Sequence, residues 1–189
     1  MKNYYLFHSK TKFQPKQIKD IIAENYRDDF TFEMIEINQG FIIADEKLFD
    51  ILETLIPLIN QDLGIGLTIL VSHQNHRLAN HVLRFLIQKG VSTCRYLGDV
   101  LMERLMDGDS QFNLFVIDEF KNIPREIILT ASMFIHCGLN AIKTANKLYI
   151  HRNTFNYRLH KFIALTGLDI RDYRHALYFE LASRLLKTK

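Results

Sequence analysis

Side chains that can grip or read a nucleic acid are concentrated in one short stretch of the chain. The set comprises Arg152, Asn153, Thr154, Asn156, Tyr157, Arg158, His160 and Lys161. Arg152 can donate two parallel hydrogen bonds to guanine, and an amide such as Asn153 or Asn156 can pair in the same way with adenine. The side chains suited to phosphate oxygens are Thr154, Tyr157, Arg158 and Lys161. No acidic residue occurs from Ala141 to Leu168, and a phosphate-facing surface requires that absence. The stretch therefore predicts a DNA-binding surface.

Histidines near the middle of the chain invite comparison with metal ligands. His73, His76 and His81 have spacings of three and five, but no cysteine or acid stands at ligand spacing beside them. We expect solvated loop histidines there and no metal. Gly64-Ile-Gly66 lacks the third glycine of a dinucleotide fingerprint, so no cofactor is predicted.

Catalytic groups do not form a coherent set in the sequence. Asp118 and Glu119 are adjacent, so their side chains should point apart, and Ser72 lies outside a GxSxG elbow. The two cysteines, Cys94 and Cys137, are far apart and fit buried positions in a reducing compartment. We therefore expect a protein that is not an enzyme.

The elements that must position the polar stretch form a predicted helix-turn-helix. Asn140 can cap a short helix that runs to Lys147, and a second helix is predicted from about His151 to Leu165. Apolar positions define the inner stripes, which are Ile142, Ala145 and Leu148 on the first helix and Phe155, Leu159 and Phe162 on the second. Tyr149 fills a turn position where glycine is common, and a positive φ there would cost about 1 kcal/mol.

The order of residues in this region is distinctive. HRNTFNYRL at residues 151–159 is followed by LTGLDI at 165–170, and ALYFELA follows at 176–182. Residues 126–186 resemble the C-terminal helix-turn-helix of PucR/CdaR-type bacterial transcriptional regulators. That resemblance implies DNA-facing roles for Arg152, Asn153, Thr154, Tyr157 and Arg158. Asn156 departs from the pattern, because the family often has a basic residue there.

Strands and helices alternate in the earlier part of the chain. Strands are predicted at 4–7, 30–37, 41–44, 66–71 and 91–96, with a turn at 38–40, and helices at 15–26, 48–59, 78–88 and 97–106. Pro57 could kink or end its helix, and 112–117 fits either element. The segments 64–72 and 96–100 are similar to the end of a degenerate GGDEF-like domain, but no GGDEF sequence is present, so cyclase activity is not implied.

Charge divides the chain into two parts. Residues 1–120 carry 12 Lys and Arg against 17 Asp and Glu, whereas residues 121–189 carry 12 against 4. The predicted fold class is α+β, with an acidic α/β sandwich-like domain over 1–120 and a basic all-α helix-turn-helix domain over 121–189. We predict no membrane span or signal peptide and a cytoplasmic location.

These observations predict a sequence-specific regulator that reads the major groove of double-stranded DNA. A homodimer is expected, since paired recognition helices commonly meet half-sites one turn apart. A small-molecule or protein signal at the N-terminal body is left open. One alternative is a protein–protein adaptor whose basic helices bind an acidic partner. The other is an enzyme that uses the N-terminal body, for instance for nucleotide chemistry, although no coherent set of catalytic residues supports it.

Overall fold

The protein has a mixed α+β fold that divides into two compact units after Val100. The computed structural model describes residues 2–107 and 110–187. The mixed fold class is therefore confirmed. The division after Val100 lies about twenty residues before the change in charge, and the domain boundary at residue 120 stays a prediction.

The first unit, called the body here, contains five strands and three complete helices, and a fourth helix begins at its end. In chain order they are β1 (Asn3–Ser9), α1 (Pro15–Asn25), β2 (Thr31–Glu36), β3 (Gln39–Ala44), α2 (Lys47–Leu63), β4 (Leu67–Ser72), α3 (Arg77–Lys89), β5 (Thr93–Tyr96) and α4 (Leu97–Met106). Pro57 lies inside α2, which continues past it to Leu63.

The strands of the body form one mixed sheet in the order β2-β3-β1-β4-β5. Neighbours are antiparallel except β4 and β5, which run parallel. All six residues of β4 are buried. A strand buried along its whole length is typical of a sheet with helices on both faces.

Helices cover the sheet from opposite sides. Tyr5, Phe7, Ile69 and Val71 point into a core that also contains the apolar faces of α1 and α2. Because strand side chains alternate, Leu6 of β1 points the other way, where α3 contacts β1 and β4. The body is therefore a three-layer sandwich.

The turn between β2 and β3 differs from the predicted one. Ile37 and Asn38 form the turn, and Gly40 already lies in β3, opposite Met34. A Cβ on Gly40 would meet the carbonyl oxygen of Glu33 at 2.2 Å and Cζ of Phe7 at 2.7 Å. The glycine is thus required by close packing of the strands rather than by a turn.

The three histidines are less solvated than expected. His73 and His76 follow β4 and are half-buried, with their ring centroids 4.9 Å apart. Nε2 of His76 lies 3.2 Å from Oγ of Ser72. His81 is half-buried within α3. The short β4–α3 connection holds these rings against the strand end, which the spacing alone did not indicate.

The second unit is helical after α4. It contains α5 (Ser110–Phe120), α6 (Arg125–His136), α7 (Ala141–Lys147), α8 (Arg152–Thr166) and α9 (Tyr173–Lys187). The ambiguous segment 112–117 is thus helix. Asp118 pairs with Lys121, whereas Glu119 accepts a hydrogen bond from the hydroxyl of Tyr178, so the adjacent carboxylates do point apart.

Helix α9 closes the second unit by packing on α5 and α6. Tyr178 and Phe179 are buried, and Phe179 lies 4.7 Å from Phe162 between ring centroids. Tyr173, by contrast, stands in the first turn of α9 and is 74% exposed. None of the helices in the described ranges has both the length and the apolar character that a bilayer span needs.

Candidate nucleic-acid interface

Helix α7 begins as predicted, at Asn140. The side-chain oxygen of Asn140 accepts a hydrogen bond from the backbone N–H of Lys143 at 2.9 Å. This bond satisfies one of the donors that every helix start leaves free. The same residue's carbonyl oxygen accepts a bond from Oγ1 of Thr144 at 2.7 Å.

The inner side of α7 is not the predicted apolar stripe. Ala145 is buried, but Ile142 is 63% exposed and Leu148 is only half-buried. Thr144 is fully buried beside Ala145. Its hydroxyl is satisfied within the helix, so a polar residue can occupy an inner position that periodicity reserves for an apolar one. The prediction for Ile142 is therefore wrong.

The turn between α7 and α8 is closed by backbone hydrogen bonds. The N–H of Tyr149 donates to the carbonyl of Asn146 at 3.1 Å, and the N–H of Ile150 donates to that of Ala145 at 3.0 Å. This pair of bonds is the Schellman pattern, whose closing residue adopts the left-handed conformation. Tyr149 has a φ of 54°, which confirms the strain anticipated for a non-glycine residue there.

Helix α8 starts at a histidine cap and ends at a glycine. Nδ1 of His151 accepts a hydrogen bond from the backbone N–H of Asn153 at 3.2 Å. At the other end Gly167 has a φ of 71°, and its N–H donates to the carbonyl of Ile163. Both ends therefore lie within one residue of the predicted bounds.

Three apolar residues fix the orientation of α8. Phe155, Leu159 and Phe162 are all buried, as the spacing predicts. Phe155 packs against Phe134 of α6, and Phe162 against α9. Since this side of α8 is held by three other helices, the opposite side must face outward.

The predicted DNA-contacting residues occupy the remaining circumference of α8. Arg152, Asn153, Tyr157 and His160 are exposed. The others are half-buried and flank them, namely Thr154, Asn156, Arg158 and Lys161. The Nζ of Lys161 lies 5.7 Å from the centre of the Tyr157 ring, within reach of a cation–π interaction. One helix thus carries guanidinium, ammonium, amide and hydroxyl donors on a continuous surface.

The basic charges of this region are not neutralised by any residue in the described part of the chain. Within residues 2–107 and 110–187, no ion pair involves Lys143, Lys147, Arg152, Arg158 or Lys161. Lys143 and Lys147 are exposed one turn apart on α7, and sequence reasoning did not include them in the site. Their spacing of four, in a stretch without acids, was the signal that could have found them.

The first carboxylate after the acid-free stretch 141–168 already accepts hydrogen bonds from within the second unit. Asp169 accepts a hydrogen bond from Nε of Arg171 at 2.7 Å, and this contact holds the pKa of Asp169 below its ordinary value. Asp172 accepts from the backbone N–H groups of Arg174 and His175 at the start of α9. Neither carboxylate is placed to neutralise the exposed cations of α7 and α8.

Comparison with known proteins finds a family match for this region of the chain. Residues 128–185 match the PucR C-terminal helix-turn-helix domain. Over 101 residues, the chain is 30% identical to the carbohydrate diacid regulator of Escherichia coli, a match that covers 50% of this chain and 26% of that protein. The resemblance to PucR/CdaR-type transcriptional regulators is thereby confirmed.

Two further relatives match different extents of the chain. A protein of Bacillus subtilis, YxkF, is 44% identical over 52 residues, or 28% of this chain and 18% of that protein. A leucine-rich protein of Streptococcus dysgalactiae subsp. equisimilis is 26% identical over an alignment of 207 positions, which covers 89% of this chain and 72% of that protein. The chain thus matches about a fifth of YxkF and a quarter of the diacid regulator.

Proposed function

Starting from a C-terminal domain of the PucR helix-turn-helix family, we propose that this chain is a non-enzymatic transcriptional regulator that binds double-stranded DNA through α8. The observation that carries the proposal is the outward side of α8, where cations that form no ion pair within residues 2–107 and 110–187 lie among amide and hydroxyl donors. Duplex DNA offers phosphates along its rims and base edges in its major groove, and an α-helix fits that groove.

Contacts to base edges and contacts to phosphates are assigned to different residues. Arg152, Asn153 and Asn156 have the donors for base edges, and they lie in the first two turns of α8, the end that recognition helices direct at bases. Phosphate contacts are assigned to Thr154, Tyr157, Arg158 and Lys161, with His160 on the same exposed side. The N-terminal end of α8 adds backbone N–H groups that favour an anion, apart from that of Asn153, which donates to His151.

Binding as a homodimer completes this proposal. A single short helix reads only a few base pairs, whereas two copies related by a two-fold axis read two half-sites about one helical turn apart. We assign the body, with its separate core, to the reception of a small-molecule or protein signal. The protein would act in the cytoplasm, where its operator is.

Fluorescence anisotropy with random duplex DNA at several salt concentrations tests the proposal. Wild type should bind with a steep negative slope of log K against log salt. Arg152→Ala/Arg158→Ala should flatten that slope by on the order of one to two units, because fewer counterions are released. Lys16→Ala/Lys19→Ala, which removes two exposed positive charges from α1, is the control and should leave the slope unchanged.

Absence of binding by folded wild type, even in low salt, would contradict the DNA-binding proposal. The surface of α7 and α8 would then be used as bait for an acidic protein partner. A selection from a random duplex library follows a positive result, and it should recover a two-fold symmetric sequence if the protein binds as a dimer.

A further inference from the structure

Tyr149 combines two features that folding does not explain. Its backbone is left-handed, a conformation that costs a tyrosine more than a glycine. Its side chain is 96% exposed and, within the described part of the chain, makes no hydrogen bond or ring contact. The backbone bonds that close α7 would form equally well with glycine. The tyrosine side chain therefore has no role in holding this turn.

The position of Tyr149 indicates what it could contact. It lies two residues before the cap of α8, between Lys147 and Arg152, both exposed and outside any ion pair of the described chain. The short, hydrogen-bonded turn holds its backbone in one conformation. A tyrosine presents an apolar ring with a hydroxyl donor at its tip, and that tip suits an anion held by neighbouring cations.

We propose that Tyr149 is a DNA contact outside the recognition helix, with its hydroxyl donating to a phosphate oxygen beside the groove that α8 enters. The inference rests on the proposed function and adds one named contact to it. Phosphate contacts of this kind set the register of a helix on the duplex without reading its sequence. Because the side chain is 96% exposed, its ring and hydroxyl are accessible to a DNA phosphate beside α8.

Two variants of Tyr149 separate binding from folding. Tyr149→Gly suits the backbone of the turn, so its melting temperature should not fall. Tyr149→Phe retains the ring and removes only the hydroxyl. Tyr173→Phe is the matched control, because it removes a second exposed hydroxyl from a residue on α9 rather than in the turn. Anisotropy against random duplex and against a selected operator is the measurement.

Both Tyr149 variants should weaken binding by about tenfold to a hundredfold, as expected for a lost hydrogen bond to a charged group. The loss should be similar for both duplexes, since a phosphate contact carries no sequence information. The slope of log K against log salt should stay unchanged, because a neutral hydroxyl displaces no counterion. Tyr173→Phe should bind as wild type does.

The outcomes of this experiment distinguish the Tyr149 contact from DNA binding through α8. If wild type binds with a steep salt slope and both Tyr149 variants bind equally well, the tyrosine contact is refuted while DNA binding stands. If Tyr149→Phe alone retains full affinity, the ring and not the hydroxyl is in contact, and the phosphate bond is refuted. If folded wild type binds no DNA, the proposed function itself fails.

Discussion

The ring of Phe155 lies 5.2 Å from the ring of Phe134, centroid to centroid, at an angle of 55°. Phe155 stands in the first turn of α8, and Phe134 in the last turn of α6. The end of α8 that carries Arg152 and Asn153 is therefore fixed by an aromatic contact on its opposite side. Aromatic rings tilted toward each other in this way stabilise a fold by more than their buried apolar area accounts for.

Loss of this contact should destabilise the second unit rather than alter which DNA sequence it binds. Phe155→Ala is expected to lower the free energy of unfolding by about 3–5 kcal/mol, since Phe155 is fully buried. Urea denaturation followed by circular dichroism measures the change. Phe155→Leu, which leaves a smaller cavity, should cost clearly less. Equal stability of Phe155→Ala and wild type would show that Phe155 is not packed as described.

The helix cap at Asn140 should stabilise α7 locally. Asn140→Ala removes the acceptor for the N–H of Lys143 and is expected to cost about 1 kcal/mol. Asn140→Ser keeps a capping oxygen and should cost little. Amide hydrogen exchange gives the site-specific measurement, because the Lys143 N–H should exchange faster in the alanine variant alone. Unchanged protection at Lys143 in both variants would exclude the cap.

Gly40 should tolerate no side chain. In Gly40→Ala the new Cβ would meet the Glu33 carbonyl and the Phe7 ring, so we expect a loss of about 1–3 kcal/mol in the stability of the body. Gly64→Ala is the control: its Cβ would meet nothing within 4 Å, and only its positive φ opposes the change. Thermal melting should place Gly40→Ala well below Gly64→Ala, and the reverse order would contradict the strand packing.

Much of this fold follows from residues that act locally. Asn140 and Gly167 mark helix ends through their own hydrogen bonds or backbone freedom, so those ends were predictable. The burial of Phe155 also follows from helical spacing. By contrast, Thr144 can be buried because its hydroxyl donates a hydrogen bond to the carbonyl of Asn140. Gly40 is required because the backbone of β2 lies close against it. Neither a hydroxyl bond to the carbonyl four residues earlier nor a close approach between strands leaves a periodic signal, and for this reason Ile142 and the β2–β3 turn were mispredicted.

Ionisation of Tyr178 should lower the free energy of unfolding of the second unit at alkaline pH. Burial and the neighbouring Glu119 raise its pKa well above the ordinary value of 10.0. The folded protein then holds the proton more tightly than the unfolded chain, so stability is complete below pH 10 and falls as the pH rises above it. Tyr178→Phe should show a shallower loss of stability above pH 10, measured by urea denaturation at each pH. An identical alkaline slope in both proteins would contradict the burial of this hydroxyl.

Asn156 offers a test of how α8 meets phosphates. PucR/CdaR-type regulators often have a basic residue at this position, and Asn156 is half-buried on the side of α8. Asn156→Arg should add one phosphate contact, strengthen binding to random duplex and steepen the slope of log K against log salt by about 0.9. Asn60→Arg, an exposed position on α2, adds the same net charge to the body and serves as the control. A steeper slope in Asn156→Arg alone places position 156 close enough to the DNA for an arginine there to reach a phosphate, because long-range attraction by net charge would affect both variants. An equal change in both variants would mean that position 156 makes no contact of its own.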